Sequence, residues 1–200
     1  MDMNRRFFVA GSLGLIAAPA ASYPPRKASE MLIEAAGRQV GVTRSYDPAY
    51  TRLAFPNGDV PRAKGVCTDV IIRAYRDAFG LDLQSLVNAD MKANFAAYPK
   101  RWGLKSTDRN IDHRRVPNLQ TFFKRQGAQL PIPQNQNGWK PGDIFTSLVG
   151  GNLPHIGIVS YNKDRSGRWL IIHNIGSGAA QENALFDHKL TGRYRWKVEA

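Results

Sequence analysis

The chain has 200 residues and one cysteine, which fits a single domain and excludes a disulfide scaffold. Hydrophobic residues make up 42% and charged residues 22%, enough apolar material for a core and too little charge for a disordered or fibrous chain. Twenty-eight Lys and Arg against sixteen Asp and Glu leave +12, a charge that points to an anionic environment or partner.

Arg5 and Arg6 precede an uncharged run rich in Ala, Gly, Leu and Ile, and Ala18-Pro19-Ala20 offers the small-x-small pattern that a signal peptidase reads. Residues 1–21 are therefore expected to be a signal peptide, with residues 22–200 forming one domain. Gly11, Gly14 and Pro19 interrupt the apolar run, which argues against a permanent membrane span. Asn4-Arg5-Arg6-Phe7-Phe8-Val9 also resembles the twin-arginine export motif. Loss of Asp2, Arg5 and Arg6 leaves 26 basic against 15 acidic side chains, so the mature domain keeps +11. In a periplasmic or secreted setting that charge favours peptidoglycan carboxylates, an acidic peptide or an anionic surface, and disfavours nucleic acid, for which the chain carries no motif.

Ser29 is placed to cap a helix whose apolar positions Met31, Leu32, Ala35, Ala36 and Val40 recur at helical spacing toward Gly41. Thr43 to Lys64 is polar and turn-rich. From Thr68, the stripe Val70, Ile71, Ala74, Ala78 and Phe79 predicts a helix that begins at Cys67 and stops at Gly80. Leu83, Leu86, Val87, Met91 and Phe95 predict another before Pro99, and Leu119, Phe122 and Phe123 one after Pro117. The period then changes. Ile144–Val149, Ile156–Tyr161, Trp169–Asn174 and Tyr194–Val198 read as short strands between Gly, Pro and Asn turns. Helices first and an antiparallel sheet second give an α+β class.

A cysteine reacts as its thiolate, and a helix N-terminus favours that form because unpaired backbone N–H groups point at the sulfur. Cys67 occupies such a position. Asp69 in the same turn opposes thiolate formation unless its carboxylate is turned away or paired. The alternative is that Cys67 is a small buried hydrophobe. In His155-Ile156-Gly157-Ile158-Val159, strand alternation puts His155, Gly157 and Val159 on one face. Gly157 leaves room there for the close approach expected of a helix that carries a thiol to an imidazole. On the next strand His173 can lie beside His155 and fix its tautomer, with Asn174 as the second choice of orienting group. Either histidine can instead be structural.

These segments have company. Val66-Cys67-Thr68, Lys140-Pro141-Gly142-Asp143-Ile144, His155-Ile156-Gly157-Ile158-Val159 and Ile172-His173-Asn174 together resemble, in order and context, the NlpC-type cell-wall peptidases of the papain-like superfamily. The resemblance implies a papain-like fold with the Cys helix packed on the sheet, and assigns Cys67 as nucleophile, His155 as base and His173 as the group that orients it. Val66 stands where that pattern commonly has an acid, and Asp69 follows the cysteine instead. A longer stretch, from Tyr46-Asp47-Pro48 to Tyr194-Arg195, is similar to a YijF-like family of small exported bacterial proteins, a domain of unknown function. It does so through Gly65-Val66-Cys67-Thr68-Asp69-Val70, Asn110 to Asn118 and His173-Asn174-Ile175-Gly176.

Asp112, His113, Arg114 and Arg115 form a basic segment in which Arg can take a substrate carboxylate in bidentate fashion, or pair internally with Asp112. His113 is a reserve candidate for proton transfer. Tyr46 can cap the cleft and hydrogen-bond a substrate carbonyl. The sequence thus predicts an envelope cysteine amidase or peptidase that needs no cofactor. Candidate catalytic residues are Cys67, His155 and His173, and candidate binding residues are Tyr46, Asp69, Asp112, His113, Arg114, Arg115 and Asn174. The competing readings are a non-catalytic peptidoglycan- or acidic-peptide-binding module, a zinc site on the same Cys and His residues, and acyl transfer involving lipid.

Overall fold

A computed structural model describes residues 27–198, so the expected signal peptide lies outside the described residues. The described chain opens with α1 (Ala28–Gly37), followed by a two-residue strand β1 (Ser45–Tyr46) that pairs in parallel with β2 (Lys64–Gly65). Next come α2 (Cys67–Phe79), α3 (Leu83–Ala93) and α4 (Val116–Arg125). The remaining strands are β3 (Gln129–Leu130), β4 (Ile144–Val149), β5 (Leu153–Lys163), β6 (Trp169–Asn174), β7 (Ala179–Glu182) and β8 (Lys189–Tyr194). They form a six-stranded antiparallel sheet in the order β3-β8-β4-β5-β6-β7. The α+β class and the helix-then-sheet order stand as expected. No described helix is long and apolar enough to cross a membrane.

Strand alternation divides the core between the two faces of this sheet. Ile144, Ile156, Ile158, Ile172 and Tyr194 point to one face and pack with Ile33, Ile71, Leu119 and Phe123 of the helices. Phe145, Val159 and Ile171 point to the other and pack with Trp139 and Leu185. Helix α2 is buried along most of its length, from Cys67 to Tyr75, because its apolar stripe lies against β5 while Gly80 ends it in a left-handed conformation at φ 67°.

Several boundaries differ from expectation: β5 runs from Leu153 to Lys163, beyond the expected Ile156–Tyr161, and α3 ends at Ala93, before Phe95. Helix α1 starts one residue before Ser29, has no side-chain cap, and ends at Gly37, with turns carrying the chain on to Gly41. The last strand ends at Tyr194 rather than beginning there. Residues 189–194 pair with β4, and Trp196 leaves the sheet to pack against Tyr75, Phe122 and Phe123 at centroid distances of 5.2 to 6.0 Å.

Candidate active site

Cys67 is the first residue of α2 and is 3% exposed. Its sulfur lies against the backbone N–H groups of Ile156 and Thr68 and the Tyr46 hydroxyl. The Ile156 contact fixes where the sulfur sits relative to the sheet. Val159 directs both its N–H and its C=O to the β4 side, bonding Asp143 and Gly142, so antiparallel alternation turns the Ile156 N–H the other way, toward β6. The thiol therefore meets β5 one residue from His155, at the end of β6.

This corrects the expected approach over Gly157. What packs closely there is the Phe145 ring from the neighbouring strand. A Cβ on Gly157 would stand 2.6 Å from that ring and 2.9 Å from the Ile172 carbonyl oxygen. Helix α2 instead covers the Ile156 and Ile158 face, because the isoleucines supply the apolar surface that its stripe requires.

The expected acidification of the thiol is also reversed. Burial pushes Cys67 up to about 11, and the Asp69 charge adds to that; the neighbouring N–H groups and the Tyr46 hydroxyl pull the other way without overcoming it. Asp69 itself is tied down. Its carboxylate accepts the Val66 N–H at 2.7 Å and both Nε and Nη2 of Arg114 at 2.9 Å, in a pair whose side chains are 4% and 2% exposed. Gly65 is needed for this fold-back: a Cβ there would lie 2.9 Å from Asp69 Oδ2. The Thr68 hydroxyl donates to the Arg114 carbonyl at 2.9 Å, which pins the two segments together.

On the other face of the sheet, His155 and His173 meet, with His155 Nε2 2.9 Å from His173 Nδ1 and His173 Nε2 2.7 Å from Glu182 Oε1. The chain of contacts determines the tautomers. A carboxylate only accepts, so His173 carries its proton on Nε2 and presents an unprotonated Nδ1; that nitrogen accepts from His155 Nε2–H, which leaves the lone pair of His155 on Nδ1. Burial and the neighbouring His173 and His188 push His155 down to about 3, so its ring is neutral near pH 7. Burial also lowers His173, opposed by Glu182.

A cavity of about 260 Å³ opens beside the thiol, lined by Cys67, Tyr46, Trp102, Arg101, Arg114 and Arg115 among others. Burial raises Tyr46 to about 12, so its phenol stays a donor. Pro154 lines this cavity, whereas His155 and His173 do not. Of the expected binding residues, Tyr46, Arg114 and Arg115 reach the cavity, and Asp69, Asp112, His113 and Asn174 do not.

Each of those four has another task or position. Asp69 holds Arg114. Asp112 accepts Arg115 Nη1 at 3.1 Å and the Asp108 N–H at 2.5 Å, so the internal pairing with Arg115 is real while Arg114 turns to Asp69. His113 is 2% exposed, and burial pushes it down to about 4. Asn174 points away from His173. Its Nδ2 donates to the Gly65 and Ser45 carbonyls at 3.0 and 3.4 Å, and its Oδ1 accepts from Gly176 and Gly178, which ties the end of β6 to the segment before Cys67. Among the described residues no group of three or more His, Cys, Asp or Glu side chains is arranged to hold a metal ion, so the zinc reading lacks a ligand set.

Glu182, Arg101 and Trp102 belong to this region and escape a reading of the sequence. Glu182 ends a four-residue strand, Ala179–Glu182, with little apolar alternation to reveal it, and only the β6–β7 register brings it beside His173.

The chain is similar over residues 33–196 to a family described as "Domain of unknown function (DUF1287)". It is also 48% identical over 168 residues to "Uncharacterized protein YijF" of Escherichia coli (strain K12), covering 84% of this chain and 82% of that protein.

Proposed function

For this chain, which belongs to the DUF1287 family, we propose a cysteine hydrolase activity that cleaves an amide bond in the bacterial envelope, with peptidoglycan stem peptides as substrate. The observation that carries this reading is the Glu182–His173–His155 chain of contacts, which leaves an unprotonated imidazole nitrogen on the residue next to the one whose N–H meets the thiol. A carboxylate behind one imidazole that orients the next is the arrangement by which hydrolytic sites hold a base in the needed tautomer.

In the proposed reaction the thiol, held on the Ile156 face at the end of β6, and His155 on the other face come together around the strand end, and His155 Nδ1 takes the Cys67 proton as the sulfur bonds to the amide carbon. The pair starts neutral, since the thiol is held up and the imidazole held down. Proton transfer therefore accompanies attack rather than preceding it. The carbonyl oxygen, now negative, is met by the Cys67 backbone N–H, which has no carbonyl partner in the first turn of the helix, and by the Tyr46 phenol. His155 Nδ1–H then gives its proton to the departing nitrogen as the C–N bond breaks, leaving a thioester. Water attacks that thioester, gives one proton to His155, and the C–S bond breaks. The proton returns to sulfur and the acid is released. The papain-like architecture and export of the mature domain belong to the same proposal.

One observation favours a second reading, a binding module: His155 and His173 are absent from the lining of the Cys67 cavity. Incubation of the purified protein with peptidoglycan and its soluble stem peptides, followed by mass spectrometry, separates the two. Hydrolysis that disappears in Cys67→Ala and in His155→Ala supports the enzyme. Co-sedimentation with the polymer without cleavage, unaffected by Cys67→Ala, supports the module.

A further inference from the structure

We infer that Arg101, Trp102 and Arg115 form a subsite for a free carboxylate, so that the cavity beside Cys67 selects an acidic peptide over a neutral one of the same shape. The inference rests on the proposed site only for its location, since Cys67 and this wall line one cavity.

Three arginines line that cavity and no Asp or Glu does. They are not equivalent. Arg114 directs both Nε and Nη2 at Asp69, 2.9 Å each, and its charge is cancelled beneath the floor. Arg115 touches Asp112 through Nη1 alone, at 3.1 Å, and its guanidinium carbon lies 4.1 Å from the centre of the Trp102 ring. A guanidinium has five N–H donors, so this contact leaves most of them for a ligand. Arg101 has no carboxylate partner among the described residues and stands 5.7 Å from the same ring. One indole thus carries two cations. Stacking on an aromatic face holds a guanidinium in place while leaving its edge open, which is the geometry that takes a carboxylate bidentately. Two positive charges beside one ring repel each other until an anion joins them. The remaining wall is apolar, including Ile111, Val116 and Pro154, and suits the body of a short peptide rather than a free inorganic anion.

The test uses two peptides that differ by one charge, N-acetyl-Ala-Glu-Ala-amide and N-acetyl-Ala-Gln-Ala-amide, titrated by calorimetry at low salt into the Cys67→Ala protein so that turnover does not intervene. The Glu peptide is expected to bind at least about tenfold more tightly, as a charge-assisted bidentate contact implies. That preference should fall several-fold in Arg101→Gln, whose exposed side chain makes misfolding no explanation, and vanish in the Arg101→Gln/Arg115→Gln double variant, with Arg168→Gln as a remote control. Equal affinities, no binding of either peptide, or a preference that survives the double variant would overturn the inference. A Glu preference in a protein that hydrolyses nothing leaves the subsite standing and removes the enzyme. Hydrolysis without a Glu preference does the reverse.

Discussion

The Nε2 atom of His155 lies 2.9 Å from Nδ1 of His173, a nitrogen-to-nitrogen contact that holds only if one ring donates and the other accepts. Glu182, 2.7 Å from the far side of His173, decides which.

Replacing Glu182 by Ala should therefore change chemistry before it changes stability. The Glu182 side chain is 50% exposed, so its loss leaves no buried void, but His173 becomes free to carry its proton on Nδ1 and to face a second N–H on His155. Nitrogen-15 spectra of the imidazoles at neutral pH should lose the single Nδ1-unprotonated form of His155. Any Cys67-dependent hydrolysis should fall by about 10- to 100-fold, the range seen when an outer hydrogen-bond partner is removed. Glu182→Gln, which keeps an acceptor oxygen, should recover part of both. Unchanged spectra in Glu182→Ala would break the tautomer argument.

Alkylation of Cys67 should be slow at neutral pH and should accelerate as pH rises toward about 11, because burial holds the thiol protonated and only the thiolate reacts. Iodoacetamide labelling followed by mass spectrometry gives the rate. Labelling that is fast and flat between pH 6 and 8 would mean that His155 and Cys67 form an ion pair at rest, contrary to the neutral pair described above.

Much of the fold was legible because Val70, Ile71 and Ala74 keep a helical period while Ile156 and Ile158 keep a strand period, and both patterns arise from the same buried layer. The pairing of His155 with His173 was legible for a related reason. Two strands joined by one turn place His173 opposite Gly157, on the face that His155 shares. What alternation could not supply was the route of the thiol, which depends on an Ile156 N–H in the plane of the sheet rather than on either face. Glu182 and Trp102 were hidden for another reason: one sits on a short strand and the other in a polar loop, where long-range register and packing, not local pattern, choose the neighbours.

Acid should destabilise the folded protein between about pH 6.5 and pH 3. His155 is pushed down to about 3 and His113 to about 4 by burial, so in this window the unfolded chain binds protons that the folded one refuses. Stability is then fully present above the ordinary histidine value and is lost as pH falls, with a slope of up to about 1.4 kcal/mol per pH unit for each such group. Urea unfolding at pH 7.5, 6 and 5 measures it. His113→Gln should flatten part of the slope without altering the thiol, which separates the His113 share of this acid response from the share that belongs to His155; a slope unaffected by that substitution would assign the response elsewhere.

The Asp69–Arg114 pair gives the last prediction. Both side chains are nearly inaccessible, so Asp69→Asn leaves a buried guanidinium without its counter-charge and should cost about 3–5 kcal/mol, as removal of one partner from a buried ion pair does. Arg114→Met should cost a similar amount and leave the Asp69 charge uncompensated in the same helical turn as the thiol, raising Cys67 further and slowing its alkylation. The double variant Asp69→Asn/Arg114→Met removes both charges together and should be more stable than either single one, because the desolvated charges disappear as a pair. Additive losses in that cycle would show that the two side chains do not act as a unit. In the same double variant the Coulombic opposition of Asp69 to the thiolate is gone, so Cys67 should alkylate faster at a given pH than in the parent, a readout that a purely structural salt bridge would leave unmoved.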